Sequence, residues 1–595
     1  MKSVSIPLKR LLNIAFLSAP IILCVWFIKS YATNAVWQDE WSFVEYLKKF
    51  EAGNIDLAGL LHYQHNEHKI FLPSLLLILV AHLSHYDGVV IQYVGLGIIT
   101  LTATVLLTMA WQRVKQYRFA ACLLIPVLVF SFSLRQWENL ICCFPYSILL
   151  VSLFFVLTIT LLDSLDRYHE TRPWCLTMAL MSALCCTYSY ANGLFVWPLS
   201  LIQLLASAWF SSGKNRQTYW RNAIVWAFFA FAVIAVYLTN YSFKKSFAVS
   251  TLLDNARKMP VHYARCLVDG LATSLTGYGD WNLYAGFLLI CLGIISVFAF
   301  CKRVYIFSKD ALAPLSLMLF GIISTALIFL GRAGADIQSV LCSRYASLTN
   351  LWIIGFYLFL LSCLKLPLSK PKQILALFPI AALAVLMFGG SVISIQEAMA
   401  EGDRLSYIRR IAANELLNYK IEPDEALMDI LPFPKWIRIF APYLEERCYS
   451  VFGQQIDGKK RSKNNELVLP DVHFDVAGIT FEEVSGWANK IPQVVHYQVA
   501  EFSGWTIDYA KPEKCLTRLY VIIDGKQEYQ AACRLYRPDV ANHFQRHEKS
   551  FRYSGFHFTC RPELFGKGKH TISLRSIDDE GQEYISSNLA TFSVP

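Results

Sequence analysis

The reading of this 595-residue chain turns on residues 11–43: LLNIAFLSAPIILCVWFIKSY (11–31), then, after Ala32, TNAVWQDEWSF (33–43). The first stretch is long and apolar enough to span a bilayer. No small-residue cleavage site precedes the acidic loop, so it is expected to stay as an anchor. Directly beyond it Asp39 and Glu40 stand side by side, flanked by Trp37 and Trp41. Further on, HYQHNEHKIF (62–71) brings His62, His65, Glu67 and His68 together before the chain turns apolar again. Carboxylates at a membrane interface are costly to place, and a partly desolvated one has a raised pKa and accepts a proton more readily. The stretch 33–71 therefore reads as the catalytic floor of a membrane enzyme; the plainer alternative is a solvated loop start.

Composition agrees with a membrane protein. Hydrophobic residues make up 55% of the chain and charged residues 16%, with a mean hydropathy of +0.39. The net charge of +10 does not call for nucleic acid, because Lys and Arg gather in short loops between apolar segments, as membrane topology requires. Apolar segments of spanning length fall near 11–31, 89–111, 119–134, 145–163, 174–190, 192–210, 222–240, 282–300, 311–330, 347–364 and 373–393, predicting about eleven crossings. The shorter segment 70–85, with Pro73, His82 and His85, suits a helix lying along the interface.

Loop charge orients these spans. Lys2, Lys9 and Arg10; Arg113, Lys115 and Arg118; Arg167 and Arg172; Lys214, Arg216 and Arg221; Lys302, Arg303 and Lys309; and Lys365, Lys370 and Lys372 all fall on one side of an eleven-span chain. The positive-inside rule makes that side cytoplasmic. The N-terminus is then cytoplasmic, and everything after 394 lies on the opposite face.

Past residue 394 the chain becomes mixed and polar. Residues 394–430 carry a helical pattern, 431–470 are irregular with a polar linker at GKKRSKNNE (458–466), and strands begin near 470. LTRLYVIID, Gly525 and EYQAACRLY predict a hairpin at Asp524-Gly525, and short alternating strands with frequent turns predict a β-sandwich. The expected divisions are 1–395, a membrane domain; 396–470, a helical and irregular connector; and 471–595, the β-sandwich. Of the sixteen cysteines, those in apolar segments read as small hydrophobes. Cys448, Cys515, Cys533 and Cys560 are candidates for one or two disulfides if their region faces an oxidising compartment.

The outer loops carry the remaining candidates. RQWEN (135–139) clusters Arg135, Gln136, Trp137, Glu138 and Asn139; YSYANGLFVWP (188–198) makes a tight helical hairpin at Asn192-Gly193; GRAGADIQSVLCSRYAS (331–347) contains Arg332, Asp336, Arg344 and Tyr345. Arg332 and Arg344 are the best phosphate-gripping candidates, since guanidinium forks onto phosphate and stays charged; anchoring span ends at the headgroups is the alternative. His62, His65 and His68, three apart, would share one helix face, where packing is favoured over metal binding. Glu138 pairing with Arg135 to fix its loop is the structural alternative there.

DEW, QHNEHKIFLP, QWEN, ANGLFVWP and GRAGAD…SRY, in this order between spans over about 1–395, resemble bacterial GT-C type membrane glycosyltransferases. The resemblance is closest to phage-type, O-antigen-modifying glucosyltransferases of serotype conversion. SGW, VIIDG, RPDVA and SGF in the C-terminal part resemble β-sandwich modules of cell-envelope glycan proteins. The family implies a polytopic inner-membrane enzyme with a periplasmic active face. It moves a sugar, expected to be glucose, from undecaprenyl phosphate to O-antigen in a single inverting displacement. On that likeness Asp39 is the general base, with Glu40 as alternative. Arg332, Arg344 and Tyr345 bind the donor phosphate. His65, Glu67, His68, Trp137, Glu138 and Asn139 contact sugar or acceptor. No DxD cluster occurs, so metal independence is expected. The large outer domain departs from the family pattern and is expected to hold the polysaccharide. A lipid-linked-sugar flippase and an O-antigen polymerase or ligase are the competing readings. The first needs polar residues deep in the bundle, and the second leans on one large Arg-rich outer loop.

Overall fold

Apolar helices dominate the first four hundred residues because so few of their side chains seek water, and a backbone in lipid must satisfy its own hydrogen bonds. The computed structural model describes residues 8–142, 146–167, 173–242, 257–277, 281–302, 309–332, 341–364, 370–454, 471–477, 480–483, 500–507, 515–561, 565–578 and 583–594. The early helices are α1 (Leu8–Tyr31), α2 (Glu40–Glu51), α3 (Leu57–His62), α4 (Phe71–Ser84), α5 (Gly88–Val114), α6 (Ala120–Ser131), α7 (Trp137–Ile141), α8 (Tyr146–Arg167) and α9 (Pro173–Thr187). They continue as α10 (Val196–Trp209), α11 (Gly213–Leu238), α12 (Pro260–Thr276), α13 (Trp281–Lys302), α14 (Leu312–Arg332), α15 (Ala346–Cys363), α16 (Lys370–Leu417), α17 (Asp424–Ile430) and α18 (Pro434–Glu446).

Among the described residues eight helices are long and apolar enough to cross a membrane, and four shorter apolar ones, including Phe71–Ser84, accompany them. All eleven segments read as spans are helical, although only eight reach spanning length within the described residues. The predicted helix at 394–430 is in large part a continuation of the last span: α16 runs unbroken to Leu417.

The chain divides into two units: 1–30, 53–79 and 91–400 form the first, and 31–52, 80–90 and 401–595 the second. In the first, α15 is the central post, buried on every side from Ala346 to Ser362. It meets α14 backbone to backbone, since a Cβ at Gly321 would lie 2.5 Å from the Trp352 nitrogen and one at Gly355 2.6 Å from the Met318 nitrogen. Small residues permit this approach, which is how helices associate where hydrophobic driving force is weak. Phe155 and Phe320 stack at 3.8 Å nearby.

Polar residues gather at the two ends of this bundle. At one end Arg113 is fully buried: Nε donates to Ser362 Oγ (3.0 Å), Nη1 to the Met109 carbonyl (2.8 Å) and Nη2 to the Asp310 carbonyl (2.6 Å), with Asp163 3.5 Å away. Lys309 donates to Ser211 Oγ (2.6 Å), and Tyr117 to the Leu364 carbonyl (2.7 Å). The helix ends read as one basic face thus do meet, although Arg113 is a buried tie and not a solvated topology charge. The tight turn expected at Asn192-Gly193 is a 3-10 turn, Ala191–Phe195, between α9 and α10. A Cβ at Gly193 would fall 2.0 Å from the Cys186 carbonyl oxygen. Gly193→Ala is expected to lower stability by about 3 kcal/mol, the upper part of the range for overpacking, measurable by denaturation in mixed micelles.

In the second unit, the loop after α1 is tied to the last turns of α16 and to the chain beyond it. Arg409, buried, donates to the Thr33 and Ala35 carbonyls; the Gln38 amide donates to the Ile430 carbonyl (3.0 Å), and Trp37 Nε1 to the Asp429 carbonyl (2.9 Å). Asn34 Oδ1 accepts from the Gly88 amide (2.9 Å), and the Ser450 amide donates to the His85 carbonyl (2.9 Å). These bonds form a collar joining the chain after α1, the α4–α5 junction and the residues after α16.

The strands are β3 (Asp471–Ala477), β4 (Thr480–Glu483), β5 (Ala500–Ile507), β6 (Leu516–Ile523), β7 (Gln527–Leu535), β8 (Gly555–Cys560), β9 (Gly568–Asp578) and β10 (Glu583–Val594); β1 (Gln64–His65) and β2 (His68–Lys69) form a separate hairpin. The predicted hairpin at Asp524-Gly525 joins β6 to β7, and both turn residues have positive φ (53° and 63°), as a type I′ turn requires. The β-sandwich expectation needs correction. All eight C-terminal strands lie in one antiparallel ladder, β3-β5-β8-β7-β6-β9-β10-β4. β7 pairs with β6 on one side and β8 on the other, and the register shifts around Arg534 (φ 59°), a bulge that bends the sheet. β3 and β4 hold opposite edges yet Ala477 and Thr480 are adjacent in sequence across a short link. The ladder therefore curls into a half-barrel around Phe502, Leu519, Val521, Phe556, Phe558 and Leu574. The expected disulfides are absent: Cys448, Cys515, Cys533 and Cys560 all carry thiols. Cys560 is inside the barrel core and Cys448 lies exposed beyond α18, so the residues serve different surroundings. The linker 458–466 and the first SGW (485–487) lie outside the described residues.

The chain after α16 docks on this sheet through Glu422, fully buried, whose Oε2 accepts from Thr559 Oγ1 (2.6 Å). Burial holds the Glu422 carboxyl well above the usual range; Thr559, Arg438 and Arg561 oppose the shift and Glu415 adds to it. A carboxyl whose folded pKa is raised contributes most below its unfolded value of about 4.3 and loses that contribution as pH rises toward the folded value. Stability is therefore expected to fall from pH 5 upward with a slope of up to about 1.4 kcal/mol per pH unit. Glu422→Gln should flatten that slope in thermal melts of the full chain across pH 5–8.

Candidate functional site

The candidate residues fall in both units. In the second, Asp39 is the N-cap residue of α2; its side chain is exposed and makes no capping hydrogen bond. Its loop is nonetheless rigid. Gln38 is held in the left-handed region at φ 52°, which costs a non-glycine residue roughly 1–2 kcal/mol. Ser42 Oγ donates to the Asp39 carbonyl (2.7 Å), and the Arg409 guanidinium lies 5.6 Å from the Trp37 ring centre. Glu40 differs from its neighbour: it is buried, and its Oε2 accepts from the Trp37 amide (3.2 Å). The desolvated carboxylate of the pair is thus Glu40, and the presented one is Asp39.

In the helical unit, the RQWEN loop docks on the SRY turn (Ser343–Tyr345). The Arg344 amide donates to Glu138 Oε2 (2.8 Å) and its Nε lies 3.6 Å from Oε1; the Glu138 amide donates to Ser343 Oγ (2.9 Å). Asn139 Nδ2 donates to the Arg344 carbonyl (2.9 Å) and to Ser347 Oγ (2.7 Å). Trp137 is buried beside them. Glu138 does not pair with Arg135, as the loop sequence suggested. Glu138 turns to Arg344, while Arg135 forms a buried ion pair with Glu397 on α16. Sequence reasoning missed Glu397; the signal was a lone carboxylate in VISIQEAM (392–399), just beyond the apolar run of a span.

Arg135 and Tyr345 line a small cavity of about 20 Å³ with Thr273 and Ser274 of α12, Thr325 of α14 and Thr349 of α15. That is room for about one water molecule and well below the volume of a small-molecule site. The wall combines one guanidinium, a phenol and hydroxyls with the apolar faces of Ile328, Phe329 and Leu341. Arg332 ends α14, but its side chain lies outside the described residues, as does Asp336.

His65, Glu67 and His68 do not share a helix face with His62. β1 and β2 make a tight hairpin with Asn66 at φ 52°, and His65 pairs with His68 across it. His65 and His68 flank a tight turn because Asn66 adopts the left-handed conformation cheaply. The His68 ring packs 3.8 Å from Tyr190, and the Ala191 amide donates to its Nδ1 (3.4 Å); Tyr241 Oη donates to the Glu67 carbonyl (2.8 Å). Beside them is Lys69, which the sequence did not single out. It is buried, its Nζ donating to the Thr239 carbonyl (2.6 Å) and lying 5.6 Å from the Tyr237 ring centre, and burial lowers its pKa. Among the described residues no group of three or more His, Cys, Asp or Glu could hold a metal ion.

No protein-family model matches the chain, and no curated protein does. The chemistry of these residues must therefore be argued from their surroundings.

Proposed function

We propose that the protein is an inverting glycosyltransferase of the bacterial inner membrane, moving a sugar, glucose in our reading, from undecaprenyl phosphate to O-antigen on the periplasmic face. The observation that carries this reading is Asp39: an exposed carboxylate on a strained, hydrogen-bonded loop directly after an apolar helix. The order of motifs shared with GT-C enzymes supports the same reaction. An acceptor hydroxyl attacks the anomeric carbon, Asp39 takes its proton, the carbon–oxygen bond to phosphate breaks, and polyprenyl phosphate leaves. Arg332, Arg344 and Tyr345 offset the charge gathering on the leaving phosphate. His65, Glu67, His68, Trp137, Glu138 and Asn139 orient sugar and acceptor, and the step requires no redox cofactor. A cytoplasmic N-terminus, eleven crossings and a periplasmic half-barrel that holds polysaccharide complete the proposal.

The test is reconstitution of the full chain with undecaprenyl-phosphate glucose and O-antigen, following both the lipid and the polysaccharide. Transfer with release of lipid phosphate is the expected result. Movement of the intact lipid-linked sugar between leaflets without release would identify a flippase instead, and dependence on a diphosphate-linked chain a polymerase.

A further inference from the structure

The helix α18 turns an apolar face outward that no element of the described chain covers. Phe433 is 66% exposed and Ile439 55%, and Met428 and Trp436 are exposed with them. Phe433, Trp436 and Phe440 follow one helical stripe, while Ile437, Ala441 and Leu444 beside it are buried. Lysines border the apolar residues: Lys435, exposed, is four residues from Ile439, and Lys48 Nζ lies 5.4 Å from the Phe440 ring centre.

We infer that this face of α18 rests on the bilayer surface, with its aromatic and aliphatic side chains among the upper acyl chains and its lysines at anionic phospholipid headgroups. The level of the helix along the chain is set by the collar. The Asp429 and Ile430 carbonyls accept from Trp37 and Gln38, a few residues past the end of α1, and Ser450 bonds to His85 between the apolar helices α4 and α5. Both ends of the segment 428–450 are therefore tied to points where the chain leaves apolar helices. An amphipathic helix with Trp and Phe on one face and Lys at its border is the usual form of an interfacial helix. Bulk water is a poor medium for a contiguous aromatic patch, and Lys–headgroup attraction adds to its burial.

The test places photoreactive benzoylphenylalanine at position 436 or 439 of the full chain, in nanodiscs of phosphatidylethanolamine and phosphatidylglycerol, with positions 424 and 445 as polar-side comparisons and 292 in α13 as a lipid-facing reference. Phospholipid adducts, read by mass spectrometry, are expected at 436, 439 and 292 and not at 424 or 445. Lys48→Glu with Lys435→Glu should cut the adducts at 436 and 439 to roughly half or less while leaving 292 unchanged. Adducts at 292 alone, equal adducts at all five positions, or crosslinks from 436 and 439 to a second copy of the chain would each overturn the inference.

Discussion

Replacing Asp39 by asparagine is expected to slow glycosyl transfer by about a thousandfold, within what a general base and its positioning supply. The amide keeps the shape of the side chain and cannot take the acceptor proton. Asp39 is exposed and makes no capping bond, so folding stability should change by less than about 0.5 kcal/mol. The loss would then be chemical. Glu40→Gln separates the two neighbouring carboxylates. Gln keeps the carbonyl oxygen that accepts from the Trp37 amide, so this variant should retain activity within about tenfold. Initial rates in membranes at matched protein levels decide the matter. If Asp39→Asn stays active and Glu40→Gln does not, the base is Glu40. If both stay active, neither carboxylate is the base and the proposed mechanism fails.

The second large effect is on stability. Arg113→Ala is expected to destabilise the helical unit by about 4 kcal/mol, because removing one member of a buried ion pair strands the other. Asp163 would be left buried without its cation, and the Asp310 carbonyl and Ser362 hydroxyl would each lose a donor. Arg113→Lys should recover little, since an ammonium cannot reproduce the planar fork that reaches three helices. Arg113→Met combined with Asp163→Leu should recover most of the loss, because an apolar pair of similar volume leaves no buried charge. Denaturant midpoints in mixed micelles provide the comparison. A shift of less than about 1 kcal/mol for Arg113→Ala would show that the buried network contributes little beyond packing.

Much of the architecture was legible in the sequence because the relevant physics is local. A run of apolar residues must become a helix if it enters lipid, and each of the eleven predicted segments is helical. Asp524-Gly525 specifies a type I′ turn by its own backbone preferences, and the β6–β7 hairpin follows. Asp39 and Glu40 after α1 were readable as a pair of partly desolvated carboxylates; the fold buries Glu40 and leaves Asp39 exposed.

What the tertiary structure alone decided are the partners of charged groups. Glu138 could have met Arg135 or Arg344; it meets Arg344, and Arg135 finds Glu397, more than two hundred residues away. Arg113 carries the signature of a topology charge in sequence and is a buried tie in the fold. The three histidines matched a helical spacing, but a left-handed Asn66 folds them into a hairpin. The predicted sandwich is a single curled ladder because a bulge at Arg534 lets β7 pair on both sides. Periodicity and hydropathy report how each segment meets its solvent. Desolvated charges and strand edges choose partners by long-range packing, where the cost of an unpaired buried group selects among alternatives that the sequence leaves equal.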